Sequence, residues 1–206
     1  MPVLNTVTAL LFSLLLLATP LRAEPVDELL AALDNISQLQ GEFRQRQYSQ
    51  GDVLESESSG RFRLLRPGYF AWEITAPDSQ LIIANAEYLW HFDRDLETVT
   101  RRPLADSEAM TPLQVLGGND AALRRNYAVG QDAEGRFVLT PHTTDAGFRR
   151  LILELDGRLI RGMEVLDNLN QRVLIDFEAL DPDSPLTAAD FEFMPPPDAD
   201  LFYHDE

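Results

Sequence analysis

A single apolar stripe runs along residues 26–39. Its apolar side chains recur every three or four residues, which is the spacing of one face of an α-helix. Asp27 and Glu28 stand at the start of the stripe, where the positive end of a helix dipole favours acidic side chains. The pattern predicts a long amphipathic helix whose buried face consists of Val26, Leu29, Leu30, Leu33, Ile36 and Leu39.

From residue 41 onward the apolar positions alternate with polar ones. In residues 54–64, Phe62 and Leu64 share one face, and Glu55 and Arg61 lie on the other. Such alternation is typical of a strand with one buried and one solvated face. Further strands are predicted at 69–75, 80–84, 88–92, 97–101, 127–131, 136–140, 149–155, 159–166 and 172–180. Short turns separate many of them, so the pattern predicts a meandering antiparallel sheet that curls toward a barrel.

Residues 103–125 interrupt this alternation. Thr111 before Pro112, and Asn119 before Asp120, are typical starts of short helices. The predicted fold is therefore mainly β: one curved antiparallel sheet with one long helix and a pair of short ones. We expect the N-terminal helix and the two short helices to cover the concave face, because their apolar stripes need an apolar partner surface.

The N-terminal segment has the pattern of an export signal. Residues 7–18 are almost entirely apolar, and the run is too short to span a hydrocarbon layer of about 30 Å. Cleavage after Ala23 would leave a single mature domain, residues 24–206. The alternative is a buried N-terminal helix. We therefore predict a signal peptide at residues 1–23 and export of the mature chain.

Composition narrows the range of functions. The 206 residues contain 17 basic side chains, all Arg, against 34 acidic ones, for a formal net charge of −17. Such a charge argues against sequence-independent binding to nucleic acid and against electrostatic docking on anionic lipids. The sequence contains no Cys, which excludes disulfides, thiol catalysis and acylation of an N-terminal cysteine.

Catalytic and metal-binding chemistry has little support in the sequence. His91, Asp93 and Asp95 alternate and could share a strand face, which would suit a metal; the alternative is a solvent-facing strand that runs into a turn. No nucleophile elbow, zinc-protease helix or phosphate-binding loop occurs. We therefore expect neither an enzyme nor a cofactor.

The early strands carry an unusual load of large apolar side chains, which either fill a solid core or line a ligand cavity. The load includes Tyr69 beside the predicted cavity residues Phe62, Leu64, Phe70, Trp72, Ile74, Trp90 and Phe92. Arg66 continues the parity of Phe62 and Leu64, so it should also point to the concave side. A buried Arg needs several acceptors, and carbonyl groups at the ends of covering helices could supply them. The alternative is an Arg that extends to solvent at the sheet rim.

An ordered set of motifs resembles the LolA family. It comprises Arg66-Pro67-Gly68-Tyr69-Phe70-Ala71-Trp72-Glu73, Leu89-Trp90 followed by residues 93–100, Thr111-Pro112-Leu113, Phe137-Val138-Leu139-Thr140-Pro141 and Phe191-Glu192-Phe193-Met194-Pro195-Pro196. The resemblance implies a half-open barrel with a helical lid over an acyl-binding cavity. It also implies that Arg66 closes the lid by hydrogen bonds to backbone carbonyls. The corresponding apolar face of the lid would consist of Leu29, Leu33, Ile36, Leu113 and Leu116.

The same resemblance implies a function. Members of the family are monomeric periplasmic carriers that accept acylated lipoproteins from the inner-membrane transporter LolCDE and deliver them to the outer-membrane receptor LolB. Two alternatives stay open: a lipid or lipoprotein sensor of the RseB type, and an enzyme that acts on acyl chains.

Overall fold

The computed structural model describes residues 23–104, 112–117, 120–143 and 147–204, and for residues 112–114 the backbone only. Its helices are α1 (Pro25–Asp34), α2 (Pro112–Gly117) and α3 (Asp120–Asn126), with a 3-10 helix at Ala188–Phe191. The predicted signal segment lies outside the described residues, apart from Ala23. Within the described part, no helix is long and apolar enough to cross a membrane.

In the described part of the chain, twelve strands form one sheet. They are β1 (Gln38–Tyr48), β2 (Leu54–Leu65), β3 (Tyr69–Ala76), β4 (Gln80–Ala84), β5 (Tyr88–Asp93), β6 (Thr98–Pro103), β7 (Tyr127–Gln131), β8 (Phe137–Pro141), β9 (Phe148–Asp156), β10 (Leu159–Asp167), β11 (Arg172–Asp181) and β12 (Asp200–Tyr203). The spatial order is β12-β6-β5-β4-β3-β2-β1-β11-β10-β9-β8-β7. The sheet is thus open, with β12 and β7 at its edges, which confirms the predicted mainly-β, half-open fold.

The antiparallel pairing follows the predicted alternation closely. All ten strands that the sequence predicts are present, with ends that differ by up to two residues. The two short helices are also present. β1 and β12 were not among these ten strands. The alternation that begins at residue 41 lies in β1. β12 pairs with β6 in parallel and has no alternation, because all four of its residues are exposed.

The N-terminal helix is shorter than predicted. It ends at Asp34, and the N–H of the capping residue Asn35 bonds to the carbonyl of Leu33. Ile36 and Leu39 are buried as the stripe predicted, but Ile36 lies in the connection and Leu39 lies in β1. The apolar spacing continued past the helix because the next two buried residues happen to stand at helical intervals.

The two faces of the sheet carry separate apolar clusters. The inner face, as we call the one that carries the three helices, holds the main core from β1 to β11. The outer face holds a smaller core, where Ala71, Ile83 and Phe191 are buried and Trp90 and Phe193 pack against them. The segment that contains the 3-10 helix covers this outer core.

Candidate functional site

The inner face of β2 and β3 is a wall of large apolar side chains. Phe62 pairs with Trp72, and Leu64 pairs with Phe70, so all four share one face. Trp72 also stacks on Phe43 of β1, with ring centroids 3.6 Å apart. Each of these five side chains is at most 4% exposed. Alternation of the β2 and β3 sequences therefore builds an uninterrupted apolar surface.

Helices α1, α2 and α3, which together we call the lid, cover this wall. Each is short, and each turns its apolar residues toward the sheet. The buried lid residues are Leu29, Leu30, Leu33, Val115, Leu116 and Leu123, and all of them belong to the same cluster as the wall. Lid side chains therefore fill the inner face in this structure, an arrangement that we call closed.

Arg66 connects the end of β2 to the lid. Its guanidinium Nη1 donates a hydrogen bond of 2.7 Å to the backbone carbonyl of Leu116 in α2. Next to it, the backbone N–H of Gly68 donates to the carbonyl of Gly117 at 2.8 Å. These two carbonyls stand at the C-terminal end of α2, where a helix has no internal donors left. The predicted contact between Arg66 and a lid carbonyl is present.

Two carboxylates balance the charge of this arginine. The Arg66 side chain is only 8% exposed, and its Nη2 lies 4.0 Å from Asp34 Oδ1 and 3.9 Å from Asp120 Oδ1. Burial lowers the pKa of the Arg66 guanidinium, and the nearby charges of Asp34 and Asp120 oppose that shift. Both acids are at least half exposed. The two exposed carboxylates therefore compensate the positive charge of Arg66, and the Leu116 carbonyl of the lid accepts its hydrogen bond.

A pocket of about 630 Å³ opens at this junction. It lies where the end of α1, the beginning of α3 and the turn after β2 meet, so the arginine that ties the lid stands at an entrance. Its lining residues are Asp34, Ile36, Ser37, Arg66, Pro67, Asp120 and Ala121. Ile36, predicted on the lid's apolar face, lines this entrance from the connection after α1.

Polar contacts also join the lid to itself and to the far edge of the sheet. Asp27 of α1 and Arg124 of α3 form an ion pair of 2.6 Å. Gln131 of β7 donates to Glu28 of α1 at 3.0 Å. Each of these side chains is partly solvent-accessible, so the ties that hold α1 in place lie at the lid margin.

The structure places most of the predicted cavity residues on the inner face, and two elsewhere. Ile74 is half-buried at the edge of the main cluster. Trp90 and Phe92 are on the outer face, which corrects their predicted place in the cavity: they stand opposite Ile83 and Leu81 in β4, and both pack on Phe193. The lid residues Leu29, Leu33 and Leu116 are buried against the wall; Leu113 is in α2, but its side chain is outside the described part.

Several wall and lid residues were not predicted. Phe177 of β11 contacts Phe62 edge-on, with centroids 4.9 Å apart, and Phe43 stacks on Trp72. Leu123 of α3 joins the lid core. Parity within the predicted strand 172–180 could have indicated Phe177, because Ile175 and Phe177 alternate with the charged Asp176 and Glu178.

Comparison with known proteins decides the family. The family model of outer membrane lipoprotein carrier protein LolA matches residues 34–194, which include the wall, Arg66 and the outer-face segment. The chain belongs to the LolA family. It is 34% identical over 168 residues to an outer-membrane lipoprotein carrier protein of Alkalilimnicola ehrlichii, covering 82% of this chain and 78% of that protein. The carrier protein of Chromohalobacter salexigens is 33% identical over 192 residues, with 90% and 91% covered.

A solved structure shares this fold. An uncharacterized conserved protein from Thermus thermophilus superposes with a TM-score of 0.54 at 15% identity, over 88% of this chain and 100% of that one. At so low an identity the likeness concerns the fold alone. It indicates that the open sheet with its covering helices is a recurrent architecture.

The candidate metal ligands of this LolA-family chain are engaged with the protein. Asp93 accepts bonds from the backbone N–H groups of Asp95 and Leu96, and Asp95 accepts one from Ser79. His91 contacts the Gln80 side chain at 3.3 Å. Within the described residues, no group of three His, Asp or Glu side chains could hold a metal ion.

Proposed function

We propose that this protein is a periplasmic carrier that holds the acyl chains of outer-membrane lipoproteins against the inner face of its sheet. One observation carries the proposal: the apolar wall is covered by separate short helices, and the largely buried Arg66 side chain at the end of β2 bonds to one of them. The relatives are outer-membrane lipoprotein carrier proteins, which supports the same function. Carriage requires no bond to be made or broken, so we propose a non-catalytic role.

The energetics favour such a site. Each acyl CH₂ kept from water contributes about 0.8 kcal/mol, so a chain of about fourteen methylenes needs about 11 kcal/mol of apolar contact when it leaves a membrane. The lid leucines already supply apolar contact to the wall in the closed state. An entering chain therefore replaces one apolar surface with another, and the displaced lid can cover the chain.

Arg66 sets the balance between the two states. A hydrogen bond from a charged group contributes about 1.5–3 kcal/mol, which favours the closed lid when the inner face is empty. Cargo that displaces α2 breaks the bond to Leu116, and release of cargo restores it. The closed lid thus lowers the cost of release to a receptor that binds acyl chains more tightly.

The route of the cargo follows from this cycle. We propose that the chain is exported by a signal peptide cleaved after Ala23, and that residues 24–206 act as a monomer. In this scheme the transporter LolCDE loads the carrier at the inner membrane, and the receptor LolB accepts the cargo at the outer membrane. A lipid sensor of the RseB type would bind lipid without this transfer.

The test is a release assay on spheroplasts that hold newly acylated lipoproteins. Purified residues 24–206 are added, and lipoprotein in the supernatant is counted against protein added. We expect a one-to-one complex that then transfers its cargo to membranes bearing the receptor. Binding of a fluorescent lipid probe without release would favour a sensor, and neither release nor binding would contradict an acyl site.

A matched pair of variants tests the role of the arginine. Arg66→Leu should load cargo and transfer it poorly, because the closed state no longer gains the bond to α2. Arg61→Leu removes the same charge from the outer face of β2, where Arg61 forms an exposed ion pair with Glu73. The control should transfer normally. Normal transfer by Arg66→Leu would contradict the proposed lid closure.

A further inference from the structure

Beyond β3, the side chains on the inner face change from apolar to polar. One row of directly paired residues crosses five strands, from Phe62 through Trp72, Ile82 and His91 to Thr100. Directly paired residues share a face, so the row begins as aromatic wall, becomes aliphatic in β4 and ends in two polar side chains. Ile82, His91 and Thr100 are half-buried. The apolar wall therefore continues into a polar margin.

A second row places more polar groups beside the first. Ile74 pairs with Gln80, Gln80 with Asp93, and Asp93 with Thr98. The Gln80 amide Nε2 donates to Asp93 Oδ2 at 3.3 Å, and its Oε1 lies 3.3 Å from His91 Nε2. Polar side chains on the face that holds the main core are unusual, because a buried polar group is costly without a partner.

This chain of contacts fixes the roles of the imidazole atoms. The Asp93 carboxylate only accepts, so the Gln80 NH₂ group must face it and the Gln80 carbonyl oxygen must face His91. His91 Nε2 therefore carries the proton and donates. In the neutral ring Nδ1 is then an acceptor, and it has no hydrogen-bond partner among the residues that the structure describes.

The local environment keeps the ring neutral. Burial lowers the pKa of His91, and the positive charge of Arg102 acts in the same direction, while Asp93 opposes both. At neutral pH the imidazole therefore keeps the lone pair of Nδ1. Thr100, the residue directly paired with His91 in β6, carries a hydroxyl on the same face that can donate a hydrogen bond.

We propose that His91 and Thr100 form a polar subsite for the amide linkage of an N-acylated cargo, with His91 Nδ1 accepting the amide N–H and Thr100 donating to the carbonyl. This inference rests on the proposed function, because it requires an acyl chain on the neighbouring wall. An ester has a carbonyl but no N–H, so it satisfies Thr100 and leaves Nδ1 unpaired. The subsite therefore distinguishes amide-linked from ester-linked chains.

Two probes that differ in one group test this selectivity. N-(2-hydroxyethyl)palmitamide and 2-hydroxyethyl palmitate carry the same acyl chain. They differ only in that the first has an amide N–H where the second has an ester oxygen. Both compete with a fluorescent acyl probe for purified residues 24–206. We expect the amide to bind about 3- to 10-fold more tightly than the ester, the effect of one hydrogen bond. Equal affinities in the wild type would overturn the subsite and leave the proposed function intact.

Variants assign the two contacts separately. His91→Phe should remove the amide preference and leave ester affinity unchanged. Thr100→Val should weaken both probes by a similar factor, because both have a carbonyl. His142→Phe adds the same ring at an exposed position after β8 and serves as the control. An amide preference that survives His91→Phe would overturn the assignment.

Two further outcomes separate this inference from the proposed function. If neither probe binds the wild type, acyl binding itself fails, and the subsite fails with it. If His91→Phe does not fold, as judged by its thermal transition, His91→Leu replaces it with the same expectation. Thr100→Val tests the second contact independently, and unchanged affinity for both probes in that variant would contradict it.

Discussion

The two aromatic clusters on opposite faces of the same strands have covers of different kinds. On the inner face, separate helices lie over Phe62 and Trp72 and are tied by Arg66 and by margin ion pairs. On the outer face, Phe191 and Phe193 insert their own rings among Tyr69 and Trp90, at centroid distances of 5.6 and 5.4 Å. The inner cover adds aliphatic side chains from separate helices to its cluster, whereas the outer cover adds aromatic rings from one segment of the chain.

The proposed function requires one fixed and one movable side of the sheet, and this difference between the covers fits that requirement. The outer cover is reinforced at several points, since Arg63 lies over the Phe191 ring and Arg101 lies over both Tyr88 and Tyr203. Polar ties such as those of the inner cover exchange readily with water, because a hydrogen bond to water replaces each one lost. In the proposed carrier cycle, the outer face would keep the strands in place while cargo replaces the lid on the inner face.

Truncating one aromatic ring on each face tests whether the two faces differ in function, and we expect it to give the largest effect. Trp72→Ala and Phe191→Ala should each lower the free energy of unfolding by about 3–5 kcal/mol, because both residues are at most 2% exposed. Only Trp72→Ala should also weaken acyl-probe binding. Urea unfolding and probe titration measure the two effects. Equal loss of binding in both variants would show that the faces are not independent.

The next effect concerns the motion of the lid. Arg66→Leu should increase the amide hydrogen exchange of peptides that cover residues 112–117 by about 10- to 100-fold, because it removes the charged bond to Leu116. Exchange in β2 should stay close to that of the wild type. Arg61→Leu is the matched control, and equal protection of α2 in all three proteins would show that Arg66 does not restrain it.

A smaller effect is expected from the two acids around Arg66. The double variant Asp34→Asn, Asp120→Asn should raise exchange in the same peptides only several-fold. Both carboxylates are at least half exposed, and solvent screens ion pairs of this kind to about 0.2–1 kcal/mol each. The difference from wild type should shrink as salt is added. An effect as large as that of Arg66→Leu would show that the charge pair, and not the carbonyl bond, holds the lid.

The smallest effect is a change in pH dependence. Burial lowers the pKa of folded His91 below its usual 6.5, so the unfolded chain takes up a proton first as the pH falls. The wild type should therefore lose stability below about pH 6.5, and this loss should be smaller in His91→Phe than in wild type. Thermal transitions between pH 5 and 8 measure it. Parallel curves for the two proteins would contradict the assignment of the lowered pKa.

The sequence was most informative where one face of a strand is polar. In β2 and β3 the alternation identified the wall, and the parity of Phe62 and Leu64 placed Arg66 on the correct side. In β5 both faces carry apolar residues. The large rings of Trp90 and Phe92 led us to predict that their face was the inner one, and the structure places it on the outside. Only the register with β4 settles that choice, because alternation within one strand does not specify which face is inner.

Two other features were beyond the reach of local patterns. The extent of α1 depends on the turn at Asn35, which a run of well-spaced apolar residues conceals. β12 is held by parallel pairing with a strand about a hundred residues earlier, and its residues are exposed on both faces. A fully exposed edge strand has no burial periodicity, so only its hydrogen-bond partner reveals it.

The position of α1 against β7 has a consequence for the loaded carrier. β7 is the last strand of the sheet, and α1 packs against it with Gln131 bonded to Glu28. A terminal strand presents backbone groups that can recruit another chain, and cover by a helix is one way to prevent aggregation. If α1 moves away when cargo binds, β7 is left uncovered for as long as the cargo is bound. The carrier would then be most prone to self-association when it is full, and β7, at only five residues, is short enough to limit that hazard.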